Sequence, residues 1–122
     1  GAPKTSFEEK PDIINKPGSS QGKGESEKKH IPAITIVKKC GLIPTGCVDV
    51  HVKVGEIEHP MLKEHYITFI DFYLDKTYLS RVYLTPERMN PAAALHLKSN
   101  SGVLTAVEHC NVHRYWMAEA SL

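Results

Sequence analysis

Apolar and polar positions alternate along most of this chain from residue 33 onward. The clearest case is Val48, Val50, Val52 and Val54, interleaved with Asp49, His51 and Lys53. A period of two sends successive side chains to opposite faces, so 47–54 reads as a half-buried strand. The same pattern predicts strands over 33–39, 64–74, 78–84, 92–98, 103–109 and 113–118, and it puts Tyr66, Thr68, Ile70, Phe72 and Leu74 on one side of the third. Turn signals separate them: 41–46 with Pro44, 55–63 with His59-Pro60, 85–91, and the hairpin turn Ser99-Asn100-Ser101-Gly102. No amphipathic helix and no internal repeat stands out. Short strands with frequent turns predict an all-β fold, an antiparallel seven-stranded immunoglobulin-like β-sandwich.

Residues 1–29 break the pattern. They are polar, rich in proline and glycine, and offer only Phe7, Ile13 and Ile14 as sizeable apolar groups. Such a segment cannot bury a core of its own. It is expected to be an extended arm lying along the domain or a neighbouring subunit, with 30–122 as the folded domain. The 122 residues suit a single domain with a two-layer core. A net charge of +1 gives no sign of a nucleic-acid partner. No apolar run approaches the ~18 residues of a membrane span, and the chain starts without the apolar core of a signal peptide. A cytoplasmic protein is the expectation.

The three cysteines are an odd number and a poor disulfide framework. Cys40 and Cys47 flank a turn and have the spacing to pair across it. In a reducing cytoplasm free thiols are expected instead, and no partner residues mark the two as metal ligands.

Seven histidines require sorting. His51 and His96 fall on the polar faces of their strands and read as surface residues. His109 adjoins Cys110 but points the other way, which makes it a neighbour of any site there rather than a ligand. His30, His59, His65 and His113 fall in loops or at strand starts, where a rigid scaffold tends to carry functional groups. Cys110 and His113, three apart on one loop, can turn a thiolate and an imidazole toward one point. These five are the candidate ligands of one metal. Imidazole suits iron, copper, zinc and nickel, and thiolate favours softer centres. Structural zinc is satisfied by four ligands. Five leave an octahedral metal one open position, which points to small-molecule redox chemistry, and a thiolate opposite that position pushes electron density through the metal.

Two motifs besides the Cys110-Asn111-Val112-His113 loop carry a resemblance: Lys29-His30-Ile31-Pro32, and His59-Pro60-Met61 followed by Glu64-His65. With Trp116 after the loop, residues 30–117 resemble the superoxide reductase family, in its one-iron neelaredoxin type. The cysteine-rich iron domain of the two-iron relatives has no counterpart in residues 1–29, which contain no cysteine. The resemblance implies one Fe(II)/Fe(III) per chain, with His30, His59, His65 and His113 in a square plane and Cys110 as axial ligand. Superoxide would bind the open sixth position, take one electron and two protons, and leave as hydrogen peroxide without formation of dioxygen. Rubredoxin or another small reduced carrier would return the iron to Fe(II). Family members are often dimers or tetramers, so a homo-oligomer is expected, with no nucleic acid and no membrane involved.

The resemblance also gives Lys29 the role of attracting superoxide, and it lets backbone N–H groups after Cys110 bond the sulfur. Tyr115 and Trp116 are expected to shield the site, and Met61 to pack over a ligand. One departure stands out. The family usually has Glu-Lys-His-x-Pro, where the Glu can cap ferric iron. Here Lys28 takes that position and Glu27 lies one residue further away, which on extended chain moves its attachment by ~3.3 Å and turns it to the other face. Glu27 is therefore only a candidate sixth ligand.

Two other readings stand beside this one. Cys110-x2-His113-x3-Met117 resembles the copper loop of cupredoxins, electron carriers that are also β-sandwiches. It leaves His30 and one of His59 and His65 without a role. A binding module with a closed structural metal, or none, explains the strands but not the histidines gathered in loops.

Overall fold

The computed structural model describes residues 14–15, 25–43 and 45–122, and for residues 14–15 and 25–27 the backbone alone. The described elements run in the order β1 (Ile14–Asn15), α1 (Glu25–His30), β2 (Pro32–Val37), β3 (Val48–Val54), β4 (Ile67–Leu74), β5 (Thr77–Tyr83), β6 (Ala92–Leu97), β7 (Val103–Cys110) and β8 (Arg114–Ser121). They form two sheets, a five-stranded one in the order β1-β8-β7-β4-β5 and a three-stranded one in the order β2-β3-β6. Every pairing is antiparallel except that of the two-residue β1, which runs parallel to the start of β8 through Ile14↔Tyr115 and Asn15↔Trp116. The predicted β-sandwich is present, and its seven longer strands match the seven expected.

Alternation builds the core. The inward valines of β3 (Val50, Val52 and Val54) meet Ile70 and Phe72 of β4 and Leu104, Ala106 and Cys110 of β7. The outer face of the larger sheet carries a second, smaller cluster of Tyr73, Val107 and Met117, with Tyr78 and Tyr115 against it. Beside it Arg81 pairs with buried Asp71 at 2.6 and 2.9 Å and lies 3.8 Å over the Phe69 ring.

Three expectations are corrected here. In β4, Ile67 joins Ile70 and Phe72 in the core, while Thr68 turns to bond His109 through Nδ1 at 2.7 Å. The register against β7 shifts between Ile67 and Phe69. A bulge of this kind resets which side chains face inward, and period-two reading misses it.

The second concerns helix. Glu25–His30 is a six-residue helix, of which Lys28, Lys29 and His30 form a basic last turn. Its sequence has no apolar stripe, and a helix this short does not form on its own strength. Tertiary contact holds it: buried Gly55 lies so close that a Cβ there would sit 2.5 Å from Lys28 O and 2.6 Å from Lys29 O. Ile57 N–H also donates to Lys28 O at 3.0 Å.

The third concerns Cys40 and Cys47, expected as free thiols. They form a disulfide with Cα atoms 5.4 Å apart, inside the range a bridge requires. The turn between β2 and β3 sets that distance, and an argument from compartment does not see it.

Candidate metal centre

Four segments converge at one end of the sandwich. The last turn of α1 brings His30. The loop after β3 brings His59 and His65, and its tip is closed by paired backbone bonds between Leu62 and His65 at 3.0 and 3.1 Å. The end of β7 brings Cys110, and the turn into β8 brings His113. One ligand atom from each of these five residues lies within 4.8 Å of all the others. His30 is 2 % exposed, His59 1 % and Cys110 0 %, so the floor of the site is closed, while His113 is open to solvent.

The four imidazoles form a ring in the order His30, His59, His65, His113. Neighbouring ring centroids are 4.7, 4.8, 5.0 and 4.7 Å apart, and each pair is steeply inclined, by 67 to 82°. Nitrogen faces nitrogen: His30 Nε2 lies 3.1 Å from His59 Nε2 and 3.1 Å from His113 Nδ1. Cys110 Sγ lies 3.5 Å from His59 Nε2 and 3.9 Å from His113 Nδ1.

The electrostatics favour neutral rings at His59 and His65. His59 Nδ1 lies 2.7 Å from the Pro60 carbonyl and donates to it, which leaves the lone pair of Nε2 facing inward. Burial pulls the His59 pKa down to about 4, against a raising effect of the Pro60 bond, and the neighbouring His30, His65 and His113 lower it further. His65 is lowered too, by burial first, then by His113 and Lys29, with Glu64 opposing. His65 Nε2 is buried and has no hydrogen-bond partner among the described residues, an unusual condition for a buried polar atom. Burial raises the Cys110 thiol, while hydrogen bonds from the N–H groups of His113 and Val112 lower it. Those are the backbone donors expected after the cysteine.

Surrounding residues fix the frame. Trp116 stacks on His30 with centroids 4.9 Å apart and rings 20° from parallel, and its Nε1–H donates to His113 O at 2.9 Å. One side chain thus braces two of the four histidines. Asn111 latches the loops together: its Oδ1 accepts from Tyr66 N–H at 2.8 Å and its Nδ2 donates to Glu64 O at 3.1 Å. Met61 packs against the core. Tyr115 does not shield the site. It lies on the opposite face of the sheet, 4.6 Å from the His109 ring and 6.3 Å from Phe69, because it alternates with Trp116 along β8. His109 shares that outer face, stacked 5.3 Å from Phe69.

Two residues next to the site, Gly55 and Glu108, carried no chemical signal in the sequence, and Asn111, though part of the Cys110–His113 motif, gave no sign of its latching role. Glu108 shares the inner face of β7 with Ala106 and Cys110, is fully buried, and has neither oxygen bonded among the described residues. Burial holds its pKa well above the usual carboxylate range. Strand periodicity alone would have placed it inward, since it lies two residues from both Ala106 and Cys110. Lys29 is half-buried beside His30. Glu27 has its backbone in α1 three residues before His30, positions that share a helix face; its side chain lies outside the described residues. The premise of extended chain at Glu27 does not hold.

Nitrogen and sulfur donors that converge without a carboxylate, one nitrogen left without a partner and another aimed by its backbone bond, fit a soft or borderline metal with one open side. The desulfoferrodoxin family profile matches residues 22–119. This chain belongs to the desulfoferrodoxin family. A superoxide reductase of Pyrococcus horikoshii is 34 % identical over 115 residues, covering 85 % of this chain and 93 % of that protein. A putative superoxide reductase of Archaeoglobus fulgidus is 32 % identical over 121 residues, covering 79 % of this chain and 90 % of its own length. The solved superoxide reductase (neelaredoxin) of Ignicoccus hospitalis superposes with a TM-score of 0.72 at 30 % identity, over 89 % of this chain and 93 % of that one. The neelaredoxin of Archaeoglobus fulgidus in the reduced form gives 0.68 at 30 % identity, over 91 % and 98 %. No helix among the described residues is long and apolar enough to cross a membrane.

Proposed function

We propose that this chain is a superoxide reductase, reducing superoxide by one electron to hydrogen peroxide at a single iron held by His30, His59, His65, His113 and Cys110. The ring of four imidazoles with a thiol sulfur against it is the observation that carries the reading. Iron, when bound, supplies the electron and an open coordination position.

The protein's own groups do the rest. Burial keeps His59 neutral well below neutral pH, so its nitrogen is available as a ligand without first shedding a proton. Trp116 and Asn111 hold His30, His113 and the two loops in place. The N–H groups of Val112 and His113 take up charge on the sulfur, which tunes how readily an electron leaves. The Lys29 ammonium, beside the site, draws in the superoxide anion. The exposed side at His113 admits solvent, the source of the two protons. Glu27 remains part of the proposal only as a sixth ligand of ferric iron.

The proposal takes 30–122 as the unit that carries the site and 1–29 as an arm laid along it. It includes a small reduced carrier of the rubredoxin kind as donor, assembly into a dimer or tetramer, and a cytoplasmic setting. The copper reading loses its axial ligand, because Met117 packs with Tyr73 and Val107 on the far side of the sheet.

The test is product stoichiometry. Fully reduced protein mixed with superoxide should yield one hydrogen peroxide for each superoxide, with no dioxygen. Dioxygen formed alongside peroxide would mean dismutation and overturn the reading. Lys29→Ala should slow the bimolecular step and flatten its salt dependence; an unchanged rate and salt slope would remove Lys29 from the account.

A further inference from the structure

A second group of metal-binding side chains lies at the other end of the small sheet. Pro32 pairs with Val54 beside the histidine ring, and Val37 pairs with Asp49 at the opposite end, roughly 17 Å away at ~3.3 Å per residue. There Asp49 of β3 and His96 of β6 are direct cross-strand partners on the outward face. The connection between β2 and β3 folds Cys40 and Cys47 against them. One ligand atom from each of Cys40, Cys47, Asp49 and His96 lies within 4.8 Å of all the others. Asp49 Oδ1 sits 2.6 Å from His96 Nδ1 and 2.7 Å from Cys40 Sγ.

The fold itself gathers these four donors: sheet register brings Asp49 and His96 together, and the connection between β2 and β3 brings Cys40 and Cys47. Both cysteines are buried, at 7 % and 8 % exposure, while His96 lies at the surface and gives an entry path. Lys38, Lys39 and Lys98 line the same cleft.

We propose that the Cys40–Cys47 disulfide and a second metal site are two states of one cluster. Reduction opens a four-ligand site of two thiolates, the Asp49 carboxylate and the His96 imidazole, suited to a divalent zinc-like ion. The disulfide takes two electrons and two protons from a dithiol, which is left as its own disulfide. The two thiol protons then leave as the ion binds. Two cysteines, one histidine and one carboxylate belong to the tetrahedral zinc repertoire, with Zn–S about 2.3 Å and Zn–N or Zn–O about 2.0–2.2 Å. The carboxylate contacts open by roughly 1 Å to admit an ion at those bond lengths. Two thiolates and a carboxylate carry three negative charges, a divalent ion leaves one, and the lysines lining the cleft more than offset it. This inference does not rest on the activity proposed for the histidine ring.

The test uses iron-loaded protein treated anaerobically with a phosphine reductant and titrated with Zn2+, with metal per chain measured by mass spectrometry. The Cys40→Ser/Cys47→Ser double variant is the reference, so whatever the histidine ring takes up cancels. Reduced wild type should bind one more zinc per chain than the reference, and oxidised wild type no more than it. His96→Ala and Asp49→Asn, both outward-facing, should weaken that zinc by roughly tenfold or more, while His51→Ala on the same sheet should not. Bound zinc should also protect both thiols from alkylation. No extra zinc in the reduced protein overturns the proposal, and so does binding by His96→Ala and Asp49→Asn as tight as wild type.

Discussion

At one end of the three-stranded sheet four histidines and a cysteine face one another with no carboxylate among them. At the other, two cysteines and a histidine gather around Asp49. The residue types overlap, yet the two groups differ in what they lack. In the histidine ring burial lowers His59 and His65, and His65 Nε2 has no partner among the described residues. In the cysteine cluster Asp49 satisfies His96, and the two sulfurs satisfy each other, so it is complete without an ion and becomes a site only when reduced. A cluster of metal-binding residues therefore says little until its protonation and pairing are known. Unfilled nitrogen in a buried place is the stronger mark of a resident metal.

The contrast can be broken first at Gly55. A methyl there meets the Lys28–Lys29 backbone at 2.5–2.6 Å, so Gly55→Ala must push α1 and His30 away. The expected cost is about 1–3 kcal/mol of stability, together with loss of iron affinity at the ring and unchanged zinc uptake at the reduced cysteine cluster. Thermal melts and the two metal titrations check it, and an unchanged iron affinity would show that α1 does not position His30.

Acid should sharpen the contrast next. His59 titrates near 4 when folded and near 6.5 when unfolded, so between these values the unfolded chain binds more protons than the folded one. Stability of the metal-free protein should then fall as pH is lowered from about 6.5 toward 4. His59→Gln should flatten that slope, whereas His96→Ala should leave it intact. Equal slopes in His59→Gln and wild type, in melts across the window, would refute the assignment of burial as cause.

The smallest expected effect is at Asn111. Asn111→Ala removes two side-chain bonds between loops, about 0.5–1.5 kcal/mol each. Iron should dissociate a few-fold faster and superoxide reduction should persist; no change in dissociation would make Asn111 a bystander.

Much of this was legible in the chain. Alternation in 47–54 and 103–109 located the strands that carry the core, and position in loops or at strand starts picked out His30, His59, His65 and His113 from seven histidines, although His30 ends a helix rather than lying in a loop. What stayed hidden was set by contact rather than pattern. A bulge in β4 reversed Thr68 and Ile67. The helix at 25–30 has no apolar stripe and is held by Gly55. Tyr115 and Trp116 are adjacent in sequence but lie on opposite faces of β8. The partners of Cys40 and Cys47 come from Asp49 and His96, the second of which lies on a strand 49 positions beyond Cys47 and becomes a neighbour only through sheet register.

The central claim is that five side chains hold one iron, and metal content per chain tests it most directly. Protein reconstituted anaerobically with ferrous iron should carry about one iron per chain, held at the histidine ring by its five donors. Cys110→Ser should lose the sulfur-to-iron colour of the oxidised form, and His65→Ala should lose most of the iron. No iron retained after reconstitution, or full iron with unchanged colour in Cys110→Ser, would contradict the account.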